Sequence, residues 1–140
     1  MSLEILQVID KEQFAVPFAQ AGVRAGFPSP AQDYMLDSID LTTALVNHPA
    51  TTFCARVDGD SMVDANVYDG DILVVDRSLE PANGNMAVCF IDGEFTLKYI
   101  DIRKDGLYLR PANPDYPDIK VESESEFRVW GIVTYSIHRH

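Results

Sequence analysis

From residue 51 onward the apolar residues come in short runs, many alternating with polar ones at a period of two, the spacing of strands that bury one face. This pattern predicts strands over 51–57, 71–76, 85–91, 94–102, 107–110 and 119–121, and a long closing strand over 127–137. Turn chemistry separates them. Asp92-Gly93 is a two-residue hairpin signal, Lys104-Asp105-Gly106 is a second turn, and Pro111, Pro114 and Pro117 hold a loop. Many short strands with frequent Gly, Asn and Asp turns predict a mainly β fold, compact and mostly antiparallel.

The chain before residue 51 reads differently. Ser29 can cap a helix, Pro30 fits its first position and Gln32 completes a capping box, with Tyr34, Leu36 and Ile39 as a short apolar face. Asp40 then caps a second short helix over 41–47, which stops before Pro49. In residues 1–28 the apolar positions (Leu3, Ile5, Leu6, Val8, Ile9, Phe14, Val16, Phe18) are irregular, and Pro17 breaks any long helix. Residues 21–28 are rich in small side chains. The expected organisation is therefore an extended N-terminal arm over 1–28, flexible or cleavable, lying on a domain formed by 29–140.

Charge narrows the function. The chain has 140 residues, with 22 Asp and Glu against 11 Lys and Arg, a formal net charge of −11. Phosphate contacts need clustered cations, so direct nucleic-acid binding is not expected. No apolar run is long enough for a membrane span, and the N-terminus lacks a basic segment followed by an apolar one, so the expectation is a soluble cytoplasmic protein. Cys54 and Cys89 lie in apolar strands without CxxC spacing and read as buried free thiols. His48, His138 and His140 show no metal-ligand spacing, so no metal and no cofactor is expected.

The stretch Val57-Asp58-Gly59-Asp60-Ser61-Met62 puts a serine in a glycine-containing turn, closed by Asp69-Gly70-Asp71 and an apolar strand. Lys98 lies in the strand over 94–102, where alternation puts Phe95, Leu97 and Tyr99 on one face and Glu94, Thr96, Lys98 and Ile100 on the other. Taken singly, a strand lysine ordinarily faces water and a turn serine is ordinarily structural. Together they can attack a peptide bond without histidine. The serine needs a base, and lysine serves as one only if burial lowers its pKa. Backbone N–H groups at the Asp60–Ser61 turn would then form the oxyanion hole.

Gly59-Asp60-Ser61-Met62, Asp69-Gly70-Asp71, Asp92-Gly93-Glu94-Phe95-Thr96-Leu97-Lys98 and Leu109-Arg110-Pro111-Ala112-Asn113-Pro114 together resemble the LexA/UmuD family of self-cleaving serine–lysine peptidases. The segment from Ala25 to Tyr34, Ile39-Asp40-Leu41, His48-Pro49 and residues 127–133 are similar to its UmuD-type members. The resemblance covers roughly residues 20–140 and implies a LexA-like C-terminal peptidase fold. It makes Ser61 the nucleophile, Lys98 the general base and later the acid, and Ala25–Gly26 the scissile bond. It also implies a RecA filament on single-stranded DNA as activator, and a processed dimer serving a Y-family, UmuC-like polymerase in SOS mutagenesis. Three other readings stand beside it: a non-catalytic dimeric adaptor on the same fold, the C-terminal part of a phage-type repressor, and a signal-peptidase-like enzyme acting in trans.

A homodimer is expected on separate grounds. The apolar strand over 127–137, left as an uncovered edge, would invite pairing with a second chain.

Overall fold

The structure is a computed structural model that describes residues 2–7, 15–19 and 36–140. Its contacts divide the chain into two units, 1–9 with 48–140 and 10–47. In chain order the elements are β1 (Ser2–Gln7), β2 (Ala15–Ala19), β3 (Leu36–Asp40), α1 (Leu41–Leu45), β4 (Thr52–Asp58), β5 (Ile72–Asp76), β6 (Met86–Ile91), β7 (Glu94–Arg103), β8 (Gly106–Arg110), β9 (Ile119–Lys120) and β10 (Phe127–Ile137).

The larger unit is one eight-stranded antiparallel sheet in the order β1-β4-β5-β10-β6-β7-β8-β9. The mainly β, mostly antiparallel architecture expected from the alternation is the one found. Strand positions agree to within a residue or two. The Asp92-Gly93 turn joins β6 to β7 with both residues at positive φ, 49° and 87°, the conformation a tight hairpin demands.

The sheet is apolar on both faces at its centre. Val88 and Leu97 join Phe53, Val57, Leu73 and Val75 in one core cluster, with Phe95, Tyr99 and Trp130 packed against it. Ala87, Cys89, Ile100, Leu109 and Ile132 form the other. Successive residues of β6 thus enter opposite cores, so neither face of that strand is left to water.

Two expectations require correction. The long closing strand is no edge: β10 is hydrogen-bonded to β5 on one side and β6 on the other, with bulges near Val129–Gly131 and Val133–Tyr135. The edge argument for a second chain therefore loses its premise. Ile132 is buried and Phe127, Val129, Trp130 and Val133 pack against the two cores, whereas Tyr135 and Ile137 stay exposed, and Gly131 is required there. A Cβ at that position would stand 2.6 Å from Val75 Cγ1.

In the smaller unit, the helical face drawn through Leu36 and Ile39 is a strand. β3 pairs antiparallel with β2, matching Ile39 to Val16 and Leu36 to Ala19. The capping signals at Ser29-Pro30-Gln32 lie outside the described residues. The second helix forms as expected. Asp40 caps it, its carboxylate accepting from the backbone N–H of Thr42 at 3.1 Å and Thr43 at 3.4 Å. It ends at Leu45.

Within the arm, Ser2–Gln7 forms a strand that the sequence reading did not assign. β1 lies along β4 over six register pairs, from Ser2↔Asp58 to Gln7↔Phe53. Leu3 packs on the first core cluster, and the Glu4 carboxylate accepts from Arg56 Nε at 3.2 Å. Among the described residues no helix is long and apolar enough to cross a membrane.

Candidate active site

β4 delivers the chain into the loop that carries Ser61, and β5 takes it away. Gly59 adopts φ 113°, a conformation that L side chains rarely adopt, and its N–H donates to Asp69 Oδ1 at 2.9 Å. Gly70 N–H donates to Val57 O at 2.8 Å and Val57 N–H to Asp71 O at 2.8 Å, which pinches the loop shut. Met62, fully buried in the first core cluster, anchors the turn from below. Ser61 is 1% exposed.

A distant segment clamps the same turn. Ala112 N–H donates to Ser61 O at 2.9 Å, and Asp64 N–H donates to Ala112 O at 2.7 Å. Asn113 Nδ2 donates to Asp60 O at 2.8 Å, and the Tyr116 hydroxyl donates to Asp60 Oδ1 at 2.6 Å. The sequence reading gave these residues no role, because their partners lie some fifty positions away and leave no periodic trace.

Lys98 rises from β7, opposite Ala87 of β6. It does not face water: the residue is 5% exposed. Its Nζ lies 3.3 Å from Ser61 Oγ, 2.9 Å from Thr96 Oγ1 and 3.1 Å from Leu97 O. An ammonium donates to all three oxygens. A neutral amine keeps two donors and turns its lone pair to the serine O–H, so one geometry suits both protonation states.

Burial pushes the Lys98 pKa below its usual 10.5. Cys89 as a thiolate would oppose this, but burial pushes its own pKa up to about 12. Near neutrality Cys89 is a neutral thiol, and desolvation is left to govern Lys98. The arrangement lowers the proton affinity of an amine that already touches a hydroxyl, which is what general-base activation of a serine requires.

A groove of about 220 Å³ opens beside Lys98, lined by Glu94, Thr96, Tyr116, Pro117 and Ile119 among others. Tyr116 also borders a second groove of about 500 Å³ that runs past Asp64, Tyr99 and Arg110. Ala25 and Gly26 lie outside the described residues.

The other candidate chemistry resolves into structural roles. His48 Nδ1 contacts Asp76 Oδ2 at 2.5 Å and Ser78 Oγ at 3.3 Å. A catalytic Ser-His-Asp relay needs serine and aspartate on different ring nitrogens, whereas here one nitrogen meets both. His138 Nδ1 pairs with buried Asp71 at 2.5 Å. Both cysteines are free thiols as expected, but only Cys89 is buried; Cys54 is half-buried. Among the described residues no cluster of His, Cys, Asp and Glu could hold a metal ion.

Comparison with known proteins gives a consistent family. A Peptidase S24-like family model matches residues 17–134. The protein MucA of Salmonella typhimurium is 41% identical over 127 residues, covering 90% of this chain and 86% of MucA. The protein SamA of Salmonella typhimurium strain LT2 is 39% identical over 127 residues, covering 91% and 88%. The LexA repressor of Xylella fastidiosa strain M23 is 38% identical over 110 residues, covering 79% of this chain and 52% of the repressor.

Proposed function

The chain belongs to the S24-like peptidases of the LexA/UmuD line, and from that membership we propose that it cuts its own Ala25–Gly26 bond with Ser61 and Lys98. The observation that carries this reading is the 3.3 Å contact between Lys98 Nζ and Ser61 Oγ, with both side chains buried.

Neutral Lys98 takes the Ser61 proton as Oγ attacks the Ala25 carbonyl carbon. The tetrahedral oxyanion is held by backbone N–H groups at the Asp60–Ser61 turn. The Lys98 ammonium then protonates the Gly26 nitrogen as the C–N bond breaks, which leaves an ester between Ala25 and Ser61. Water, deprotonated by Lys98, hydrolyses that ester and frees residues 1–25. A substrate carried on the same chain or on its dimer mate has a high effective concentration, so no deep specificity pocket is needed.

The proposed setting is the SOS response in the cytoplasm. A RecA filament on single-stranded DNA stimulates cleavage. The processed homodimer then serves a Y-family, UmuC-like polymerase in translesion synthesis. MucA, SamA and LexA as relatives support this setting.

The test is intact mass over hours at about pH 10, near the ordinary pKa of a lysine side chain, for the parent and the Ser61→Ala variant. Loss of the first 25 residues in the parent alone supports the reading. Cleavage in both removes Ser61 from the mechanism. An unchanged mass in a folded parent favours the non-catalytic adaptor.

A further inference from the structure

Asp60 puts a carboxylate one residue before Ser61, whose Oγ lies 3.3 Å from an amine that must shed its proton. A negative charge brought close to Lys98 would stabilise the ammonium and silence the base. Yet the carboxylate is held at the exposed rim of the site. The Tyr116 hydroxyl donates to Asp60 Oδ1 at 2.6 Å, while Asn113 Nδ2 holds the Asp60 carbonyl at 2.8 Å. Tyr116 lines the groove that contains Lys98 and is itself 41% exposed.

We infer that Tyr116 is a positioning residue for the Ser61–Lys98 reaction: its hydroxyl holds the Asp60 carboxylate away from the Lys98 amine and keeps that amine a competent base. The inference rests on the peptidase reading above.

Among the described residues, few groups could compete for this role. Cys89, from β6, carries no charge near neutrality because burial raises its pKa to about 12. Glu94 lines the same groove, four residues before Lys98 on β7. Asp118, beyond Tyr116 on the same loop, is paired with Arg103. Asp60 is the acidic residue next to the nucleophile, and the Tyr116 hydroxyl is the side-chain donor on its carboxylate. The latch also lasts where it is needed. Its hydrogen bond to Asp60 pushes the Tyr116 pKa above the usual 10, so the hydroxyl keeps its proton into the alkaline range in which lysine loses one.

The experiment compares self-cleavage of the full chain from pH 6 to 11 in the parent, Tyr116→Phe, the double variant Tyr116→Phe/Asp60→Asn, and Tyr116→Phe/Glu94→Gln. Tyr116→Phe is expected to move the midpoint of the pH–rate curve up by about one unit, with a rate at pH 7 about tenfold lower and an unchanged alkaline plateau. The Asp60→Asn double variant returns the midpoint to the parental value, and the Glu94→Gln double variant does not. A rate loss equal at every pH, or a shift that survives removal of the Asp60 charge, overturns the inference while leaving the peptidase reading intact. A parent that is not cut at any pH overturns both.

A second readout does not depend on cleavage. In a Ser61→Ala background, the side-chain NMR titration of Lys98 should show the same upward shift on Tyr116→Phe. No shift there also overturns the inference.

Discussion

Replacing Lys98 with Met separates the cost of the site from its chemistry. Lys98 is 5% exposed, and its ammonium gives up bulk hydration for three contacts, to Ser61 Oγ, Thr96 Oγ1 and Leu97 O. Its pKa is depressed, so between the folded value and 10.5 the unfolded chain binds more protons than the folded one, and stability rises with pH. Below both values the burden is constant, about 1.4 kcal/mol for each unit of depression.

Methionine fills a similar volume without charge. It leaves Thr96 Oγ1 and Leu97 O short of a partner, at a cost of about 1 kcal/mol each. Removing a buried unpaired cation outweighs this, and we expect Lys98→Met to be about 1–3 kcal/mol more stable at pH 7. The gain shrinks as pH rises toward 10.5 and reverses beyond it, where only the lost hydrogen bonds remain. The assay is urea unfolding followed by circular dichroism from pH 6 to 11. Both proteins carry Ser61→Ala, so that self-cutting does not intrude. Taking the difference between them cancels the titration of every other group. A variant less stable than its parent at pH 7, by an amount that does not change with pH, would refute the claim that burial strains Lys98.

Two further outcomes test the frame around the site. Gly131→Ala is expected to cost about 1–3 kcal/mol, because the added Cβ would meet Val75 Cγ1 at 2.6 Å on an interior strand; thermal unfolding measures it, and an unchanged midpoint would mean that β10 is looser than described. Burial works to raise the pKa of Asp76, but hydrogen bonds from His48, Ser78 and Thr51 outweigh it and hold the carboxyl at about 2. That stabilisation, about 2–3 kcal/mol, is present above pH 4 and lost as pH falls toward 2; Asp76→Asn should flatten this part of the acid-unfolding curve, and an identical acid limb in the variant would count against the cluster.

What the sequence made legible was local. Apolar runs marked Ile72–Asp76 and Phe127–Ile137, and Asp92-Gly93 marked its hairpin, because hydrophobic pattern and turn chemistry are written in adjacent residues. β1 escaped because Glu4 and Gln7 interrupt its apolar residues and its partner, β4, lies some fifty residues on. β3 was misread because capping signals upstream are local, whereas its pairing with Ala15–Ala19 is not. Periodicity put Lys98 on a face with Thr96 and Ile100, but could not say that this face is covered. Cover comes from elements that meet only in the fold. The clamp of Ala112, Asn113 and Tyr116 on the Ser61 turn is of the same kind.

That clamp ties Ser61 and Lys98 to one piece of framework. Lys98 stands on β7, and the next residue, Tyr99, is in register with Arg110 at the end of β8. From Arg110 the chain runs straight into Ala112 and Asn113, which hold the carbonyls of Ser61 and Asp60. Ser61 and Lys98 are thus linked through one hairpin and one short segment, although they sit on separate stretches of sequence. A misplacement of about 1 Å can cost a hundredfold in rate. Fidelity of the Nζ–Oγ distance therefore depends on the β7–β8 pairing as well as on the Ser61 loop itself. The prolines at 111 and 114 flank the clamp and restrict its backbone, which suits a segment whose work is to hold a distance rather than to move.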